Sequence, residues 1–171
     1  MKRLRRLVPV PGIFCFALLV RIVYNLTVGR GYVPRYDSSA YQSLGFHILE
    51  EHCFCINAYQ PTVGRAPLWP GIIAIVTYIA GHHNLYSRLF LSFIGSGTCV
   101  LVYLFARDIF GRRIALLAGI VAATYTGLFI YDGWLYSESL YTFLLLACAY
   151  SVHLIQRTSR ARWMVVGGVL L

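Results

Sequence analysis

The stretch Arg35–Pro70, RYDSSAYQSLGFHILEEHCFCINAYQPTVGRAPLWP, is a long polar interruption in a chain that otherwise consists largely of hydrophobic segments. It directly follows the first of those segments. Asp37 lies at its head, and Arg65 lies near its end. We interpret this loop as the functional part of the chain, and the hydrophobic segments as the scaffold that holds it at a membrane surface.

The composition indicates a membrane protein. The 171 residues are 58% hydrophobic and 12% charged, and the mean hydropathy is +0.66. Soluble domains carry about 25% charged residues. A net charge of +9 would suggest nucleic acid as a partner of a soluble protein. Here the basic residues form short clusters between apolar runs, which is typical of membrane orientation, so we expect membrane lipids and no nucleic acid as partners.

Hydrophobic segments of a length suited to about 30 Å of hydrocarbon predict an all-α integral membrane protein. The predicted spans are residues 7–28, 88–106, 114–131 and 134–155, and a fifth begins at 163 and is truncated at 171. A basic cluster precedes the first span and no small-residue cleavage site follows it, which favours a retained signal anchor. Arg21 interrupts this span near its far end, where we expect it to snorkel to the interface.

The segment Leu68–Ala80 is apolar but short for a crossing. If it does not cross, Arg30, Arg35, Arg65 and Arg88 lie outside, and ten basic residues lie on the cytoplasmic side: Lys2, Arg3, Arg5, Arg6, Arg107, Arg112, Arg113, Arg157, Arg160 and Arg162. If it does cross, five basic residues lie inside and nine outside. The positive-inside rule selects the first arrangement. It predicts a cytoplasmic N-terminus in the cell membrane and an extracytoplasmic loop over residues 29–87.

Two juxtamembrane helices are predicted within this loop, at about residues 39–51 and 68–80. Ser39 and Gln42 have the spacing of a capping box. Tyr41, Leu44 and Ile48 then repeat on one helical face. This pattern favours an amphipathic helix on the membrane surface, with Asp37 just before its positive end.

The candidate chemical groups are acids and arginines of the loop regions. Asp37 could remove a proton from an acceptor hydroxyl or hold a divalent cation, although an aspartate in this position is often only a helix cap. Arg35, Arg65 and Arg88 could bind a phosphate or could be plain interfacial arginines. Glu138, and more weakly Asp132, are candidates because ionisable residues near membrane depth are costly and usually functional.

Cys53 and Cys55 flank one residue of the loop. A metal site would need further ligands at suitable spacing, and the sequence supplies no second pair. We therefore expect no metal site here. The two residues are interpreted as ordinary loop cysteines or as a bridge.

Several of these residues carry a resemblance to a known family. An arginine near the outer end of the first span, followed by Asp37-x-x-x-Tyr41, resembles the start of the polytopic GT-C glycosyltransferases. More narrowly, the chain is similar to the protein-O-mannosyltransferase and aminoarabinose-transferase-like branch. The further segments that carry this similarity are Arg65–Gly71, Arg88, Ala106–Arg113 and Ser137–Tyr141. The chain has Asp37-Ser38 where many relatives have Asp-Glu.

The resemblance implies a GT-C-like helical bundle that transfers a sugar from a polyprenyl-phosphate donor to a lipid, glycan or protein acceptor on the extracytoplasmic face, with inversion. Asp37 would be the general base, and Arg65 and Arg88 would stabilise the leaving phosphate. Glu138, as a second catalytic residue, or Asp132 would position the acceptor or support Asp37. Arg35 and Tyr41 would join the substrate-binding residues. Two alternatives are a truncated, inactive remnant and a transporter-like membrane protein. The sequence does not indicate the oligomeric state.

Overall fold

The computed structural model of the chain describes residues 9–57, 60–158 and 168. Helices account for most of this part of the chain, and two short antiparallel strands form a hairpin in the long loop. The elements are α1 Pro9–Leu26, α2 Asp37–Glu50, β1 Cys55–Asn57, β2 Gln60–Pro61, α3 Leu68–Ala80, α4 Asn84–Phe110, α5 Arg112–Thr124, α6 Thr126–Gly133 and α7 Glu138–Thr158. The expected all-α membrane fold is confirmed.

Three helices, α1, α4 and α7, are long and apolar enough to cross a membrane. Helices α5 and α6 together pass the same test, but they meet at a bend of 43° where one uninterrupted span was expected. Tyr125 is extended at the bend, and the hydroxyl of Thr124 donates to the carbonyl of Ile120 one turn earlier at 3.0 Å, a contact that tends to bend helices. The expected fifth span lies outside the described residues.

Both ends of the long loop lie at the same end of the bundle. Arg88, in the first turns of α4, donates from Nη1 to the carbonyl of Gly29 at 2.7 Å. His82 Nε2 and Glu50 Oε1 lie within hydrogen-bond distance, 2.8 Å apart, between the end of α3 and the end of α2. The chain therefore returns to its starting side before α4 begins, and α3 does not traverse the bundle. We call this side, which carries residues 27–57, 60–83 and 134–137, the loop end.

Helix α2 begins differently from the expectation, because the capping box does not form. The hydroxyl of Ser38 accepts from the amide of Arg35 at 2.9 Å and donates to its carbonyl at 2.7 Å. This turn starts the helix at Asp37, with Tyr36 as the N-cap residue. Ser39 consequently lies inside the first turn, where its hydroxyl donates to the carbonyl of Tyr36 at 2.7 Å. The capping-box prediction is wrong for this reason.

Two apolar clusters lie in the interior. The first joins α1, α4 and α5 through mostly small residues, which allow close helix packing: Ile13, Ala17, Cys99, Tyr103, Ala115, Ala122 and Ala123. The second lies beneath the loop end and consists of Trp69, Ile73, Leu91, Leu135 and Leu140. The second cluster attaches α3 of the long loop to the spans α4 and α7.

A buried ion pair crosses the bundle between α1 and α6. Arg21 Nε lies 2.6 Å from Asp132 Oδ2, and each side chain is only 1% exposed. Gly95 of α4 provides the space, because a Cβ there would overlap the carboxylate of Asp132. The expectation that Arg21 snorkels to the interface is wrong, since an internal carboxylate compensates its charge.

Removing one member of this pair is expected to destabilise the protein more than removing both. Asp132→Leu leaves the guanidinium of Arg21 buried without a counter-charge, which costs about 3–5 kcal/mol of unfolding free energy. The double variant Arg21→Met/Asp132→Leu removes both charges and is expected to recover much of that loss. The measurement is reversible unfolding of the protein in mixed micelles.

The matched control is Arg157→Met, which removes a half-exposed arginine 3.5 Å from Asp108. Its effect is expected to be within about 1 kcal/mol, because solvent screens the pair. A double variant as unstable as Asp132→Leu alone would contradict the view that charge compensation holds Arg21 in place.

Candidate functional site at the loop end

Asp37 and Arg65 meet at the loop end, as their positions in the long loop allow. Arg65 Nη2 donates to Asp37 Oδ1 at 2.6 Å, and the two side chains are 29% and 54% exposed, respectively. The guanidinium also lies over the ring of Tyr41, 4.9 Å from its centroid. The hydrogen bond with Asp37 raises the pKa of Arg65 above its usual value. The pair is therefore an accessible carboxylate beside a permanent positive charge.

An apolar cavity of about 420 Å³ opens next to this pair. Ala66, the neighbour of Arg65, lies in its wall, and so does Tyr41. The complete lining is Tyr41, Ala66, Leu68, Trp69, Ser137, Glu138, Leu140, Tyr141 and Leu144. We call this space the apolar cavity. Its walls come from α2, α3 and α7, so an elongated apolar ligand could lie between the loop helices and the spans.

Glu138 lies at the first residue of α7 and borders two cavities. One is the apolar cavity. The other is a smaller cavity of about 110 Å³ whose lining includes Arg21, Asp132 and Ser139. Glu138 is exposed, whereas Asp132 is buried. The structure thus places Glu138 in the wall of the apolar cavity together with Tyr41, and it places Asp132 inside the bundle with Arg21.

The remaining two arginines lie in different settings. Arg88 is only 3% exposed, and its guanidinium lies beneath the ring of Tyr32 at 5.0 Å from the centroid. Its Nε and Nη2 atoms have no hydrogen-bond partner in the described part of the chain. Arg35 borders a separate cavity beside the N-terminus of α2. Arg65 is therefore the arginine that meets Asp37 directly, and Arg88 lies behind Tyr32.

Hydrogen bonds join the long loop to the turn between α6 and α7. The indole Nε1 of Trp69 donates to the carbonyl of Leu135 at 3.0 Å. The hydroxyl oxygens of Tyr41 and Ser137 lie 3.1 Å apart. These contacts fix the apolar cavity between segments that are far apart in the sequence.

The sequence left open that Asp37 holds a divalent cation, and this stays a prediction for Asp37. Its carboxylate has a guanidinium as neighbour, which is not a metal ligand. Within residues 9–57 and 60–158 there is also no group of three or more His, Cys, Asp or Glu side chains suited to a metal ion. Cys53 and Cys55 form a disulfide with each other, with their Cα atoms 5.3 Å apart.

Sequence reasoning missed two features of this end of the molecule. One is the partnership of Arg21 with Asp132, for which a signal existed: an arginine within one span and an acid at the edge of another require compensation. The other is a group of aromatic residues that Tyr32 and Trp134 bring together from two loops. No local sequence pattern predicts this aromatic group, because it forms only when the two loops meet.

The fold and the site define an all-helical membrane protein whose accessible charged groups meet an apolar cavity at one end of the bundle. The sequence model of the dolichyl-phosphate-mannose-protein mannosyltransferase family matches residues 64–171. The chain belongs to this family, which is a family of membrane glycosyltransferases. The match includes Arg65, Arg88, Asp132 and Glu138 and begins after Asp37. No curated protein and no solved structure is significantly similar to the chain.

Proposed function

We propose that the chain carries the reacting centre of a membrane glycosyltransferase that moves a sugar from a polyprenyl-phosphate donor to an acceptor hydroxyl on the extracytoplasmic face. The observation that carries this proposal is the ion pair of Asp37 with Arg65 at 2.6 Å, beside the apolar cavity. It combines an acceptor for a proton with a cation for a phosphate, next to space for a lipid tail.

The proposed reaction is a single displacement. Asp37 takes the proton of the acceptor hydroxyl as its oxygen attacks the anomeric carbon. The bond from that carbon to the phosphate oxygen breaks, and the lipid phosphate leaves with the electron pair. Attack opposite the leaving group inverts the anomeric centre. Positive charge stabilises the phosphate as its negative charge develops.

Arg65 is the first candidate for that positive charge, because it is accessible and adjoins the apolar cavity. Charge-assisted hydrogen bonds to phosphate are about twice as strong as neutral ones. Arg88 has two unpaired nitrogen atoms but lies beneath Tyr32, so it would join only after that ring moves. Glu138 lies in the wall of the apolar cavity and would position the acceptor. Tyr41 holds the guanidinium of Arg65 in place through its ring.

The apolar cavity suits the lipid part of the donor. A phosphosugar on a polyprenyl chain keeps its head group at the interface, where the loop end would lie. The tail would run between α3 and α7, along Leu140 and Leu144. The hydrophobic effect favours this placement by about 25 cal/mol for each Å² of apolar surface removed from water.

Asp37→Asn is expected to lower the rate of sugar transfer by at least about 100-fold, because the amide cannot accept the acceptor's proton. The measurement is transfer from a radiolabelled polyprenyl-phosphate sugar in proteoliposomes. The matched control is Glu50→Gln, which removes another exposed carboxylate at the opposite end of the same helix. The control is expected to retain activity.

Equal transfer by wild type and Asp37→Asn would remove Asp37 from the mechanism and leave Glu138 as the remaining candidate base. Absence of transfer by wild type with every polyprenyl donor tested would favour the inactive-remnant alternative.

Arg65→Gln is expected to raise the KM for the donor by about tenfold, because one charge-assisted hydrogen bond to phosphate is lost. Arg65→Lys keeps the positive charge but lacks the planar guanidinium group. Its KM for the donor is expected to lie between those of wild type and Arg65→Gln. Arg30→Gln, in the same loop and exposed, is the control. An unchanged donor KM in Arg65→Gln would indicate that Arg88, and not Arg65, binds the phosphate.

The transporter-like alternative needs polar groups within the spans. The described spans do contain a buried charged pair, Arg21 with Asp132. The two charges neutralise each other at 2.6 Å and adjoin a cavity of only about 110 Å³. The accessible pair of Asp37 with Arg65 lies instead at the loop end, which supports chemistry at the interface rather than passage through the bundle.

A further inference from the structure

A second cavity at the loop end has no role in the reaction described above. Its volume is about 290 Å³, and aromatic side chains form most of its wall. The lining residues are Tyr32, Val33, Arg35, Tyr36, Ser38, Trp134 and Tyr136. We call this space the aromatic cavity. It is close in size to the smallest pockets that bind small molecules in proteins, about 300 Å³.

The two loops that form the aromatic cavity are held together. The hydroxyl of Tyr32 donates to the carbonyl of Trp134 at 2.5 Å. Partial burial of Tyr32 raises the pKa of its hydroxyl above the usual value. The rings of Trp134 and Tyr136 are tilted against each other, with centroids 6.2 Å apart. The aromatic wall is therefore preformed.

Backbone strain coincides with this wall. Tyr36 and Leu135 have positive φ angles of 53° and 57°, in the left-handed region that favours glycine. Tyr36 lies in the wall, and Leu135 lies between Trp134 and Tyr136, which also line it. Non-glycine residues in such conformations tend to cluster at ligand sites. The ring of Tyr36 is 86% exposed, so burial does not compensate for its strain.

Asp37 has neighbours in the walls of both cavities. Its partner Arg65 adjoins Ala66 in the wall of the apolar cavity. Its chain neighbours Tyr36 and Ser38 lie in the wall of the aromatic cavity. A ligand in the aromatic cavity would therefore lie next to the chain segment that carries the carboxylate, in a different cavity from the lipid.

The chemistry of the wall favours a carbohydrate ligand. Aromatic faces offer large, rigid surfaces for the apolar C–H face of a sugar ring. Arg35 and the hydroxyl of Tyr36 offer hydrogen bonds to sugar hydroxyls. A lipid tail would leave these polar groups unused. A phosphate in the aromatic cavity would contact one arginine, Arg35, and otherwise mostly aromatic side chains, which do not bind an anion.

We propose that the aromatic cavity is a subsite that binds a pyranose unit of the acceptor, which makes the acceptor a glycan or a glycosylated molecule. The identity of this ligand as the acceptor rests on the proposed function. The binding of a sugar ring between the loops does not, because it follows from the aromatic cavity alone.

The direct test is saturation-transfer NMR on the protein in lipid nanodiscs, with methyl α-mannopyranoside and methyl β-glucopyranoside as probes. Saturation is expected to reach the ring C–H protons of at least one probe. Tyr36→Ala should weaken its binding by about tenfold, which is typical of the loss of one stacking ring. Because Tyr36 is largely exposed, this variant is not expected to unfold the protein.

Trp134→Ala is the second variant and should have the same effect from the opposite loop. Tyr78→Ala is the matched control, because Tyr78 is 79% exposed on α3 and lies outside the wall of the aromatic cavity. No saturation transfer to either probe, or equal transfer in wild type and Tyr36→Ala, would overturn the proposal. Transfer only to a Ser/Thr-containing peptide would also overturn it, in favour of a peptide subsite.

Kinetics separate this proposal from the proposed function. If a glycan acceptor is used, Tyr36→Ala should raise its KM by about tenfold and leave the donor KM unchanged. Sugar binding that depends on Tyr36 in a protein without transferase activity would support the subsite and contradict the proposed function. Transferase activity that needs Asp37, with an acceptor KM indifferent to Tyr36 and Trp134, would support the function and contradict the subsite.

Discussion

The buried ion pair between Arg21 and Asp132 constrains the arrangement of the whole bundle. An unpaired charge among apolar helices is expensive, so α1 and α6 must meet where the two groups lie 2.6 Å apart. Asp132 lies two residues before Trp134, and the pair therefore also sets where the turn after α6 emerges. The carbonyls of that turn accept hydrogen bonds from Tyr32 and Trp69 of the long loop. A contact inside the bundle thus determines how the loop is attached to it.

The features of the fold that depend on how side chains partition between lipid and water were predictable from the sequence. Hydropathy predicted the helical segments of the all-α fold. The charge count predicted that Leu68–Ala80 stays on one side of the membrane, and this stays a prediction. Features that depend on how helices rotate against each other were not predictable. The partner of Arg21 is 111 residues away, and no local pattern indicates which face of α1 meets α6. At the start of α2, the hydroxyl of Ser38 displaced the expected capping box by forming a tighter turn with Arg35.

The candidate site also has features that were predictable from the sequence and features that were not. The loop composition identified Asp37 and Arg65, and the structure brings them together. The sequence treated Arg88 as equivalent to Arg65, yet Arg88 is buried beneath Tyr32. The reason is that Gly29 lets its guanidinium pack against the loop backbone, where a Cβ would overlap it. Exposure, which decides whether an arginine can meet a phosphate, depends on such tertiary contacts and not on residue type.

Two substrates of opposite character would have to meet at Asp37 in the reaction proposed here. A lipid-linked donor can approach only from the hydrocarbon, and a hydroxylated acceptor approaches from water. The first turns of α2 contribute to the walls of both cavities, because Tyr41 lines the apolar cavity and Ser38 lines the aromatic cavity. The cation that would receive the phosphate, Arg65, directly precedes Ala66 in the wall of the apolar cavity. Since the proton leaves the acceptor and the negative charge develops on the donor, a base and a cation in contact would serve both needs at once.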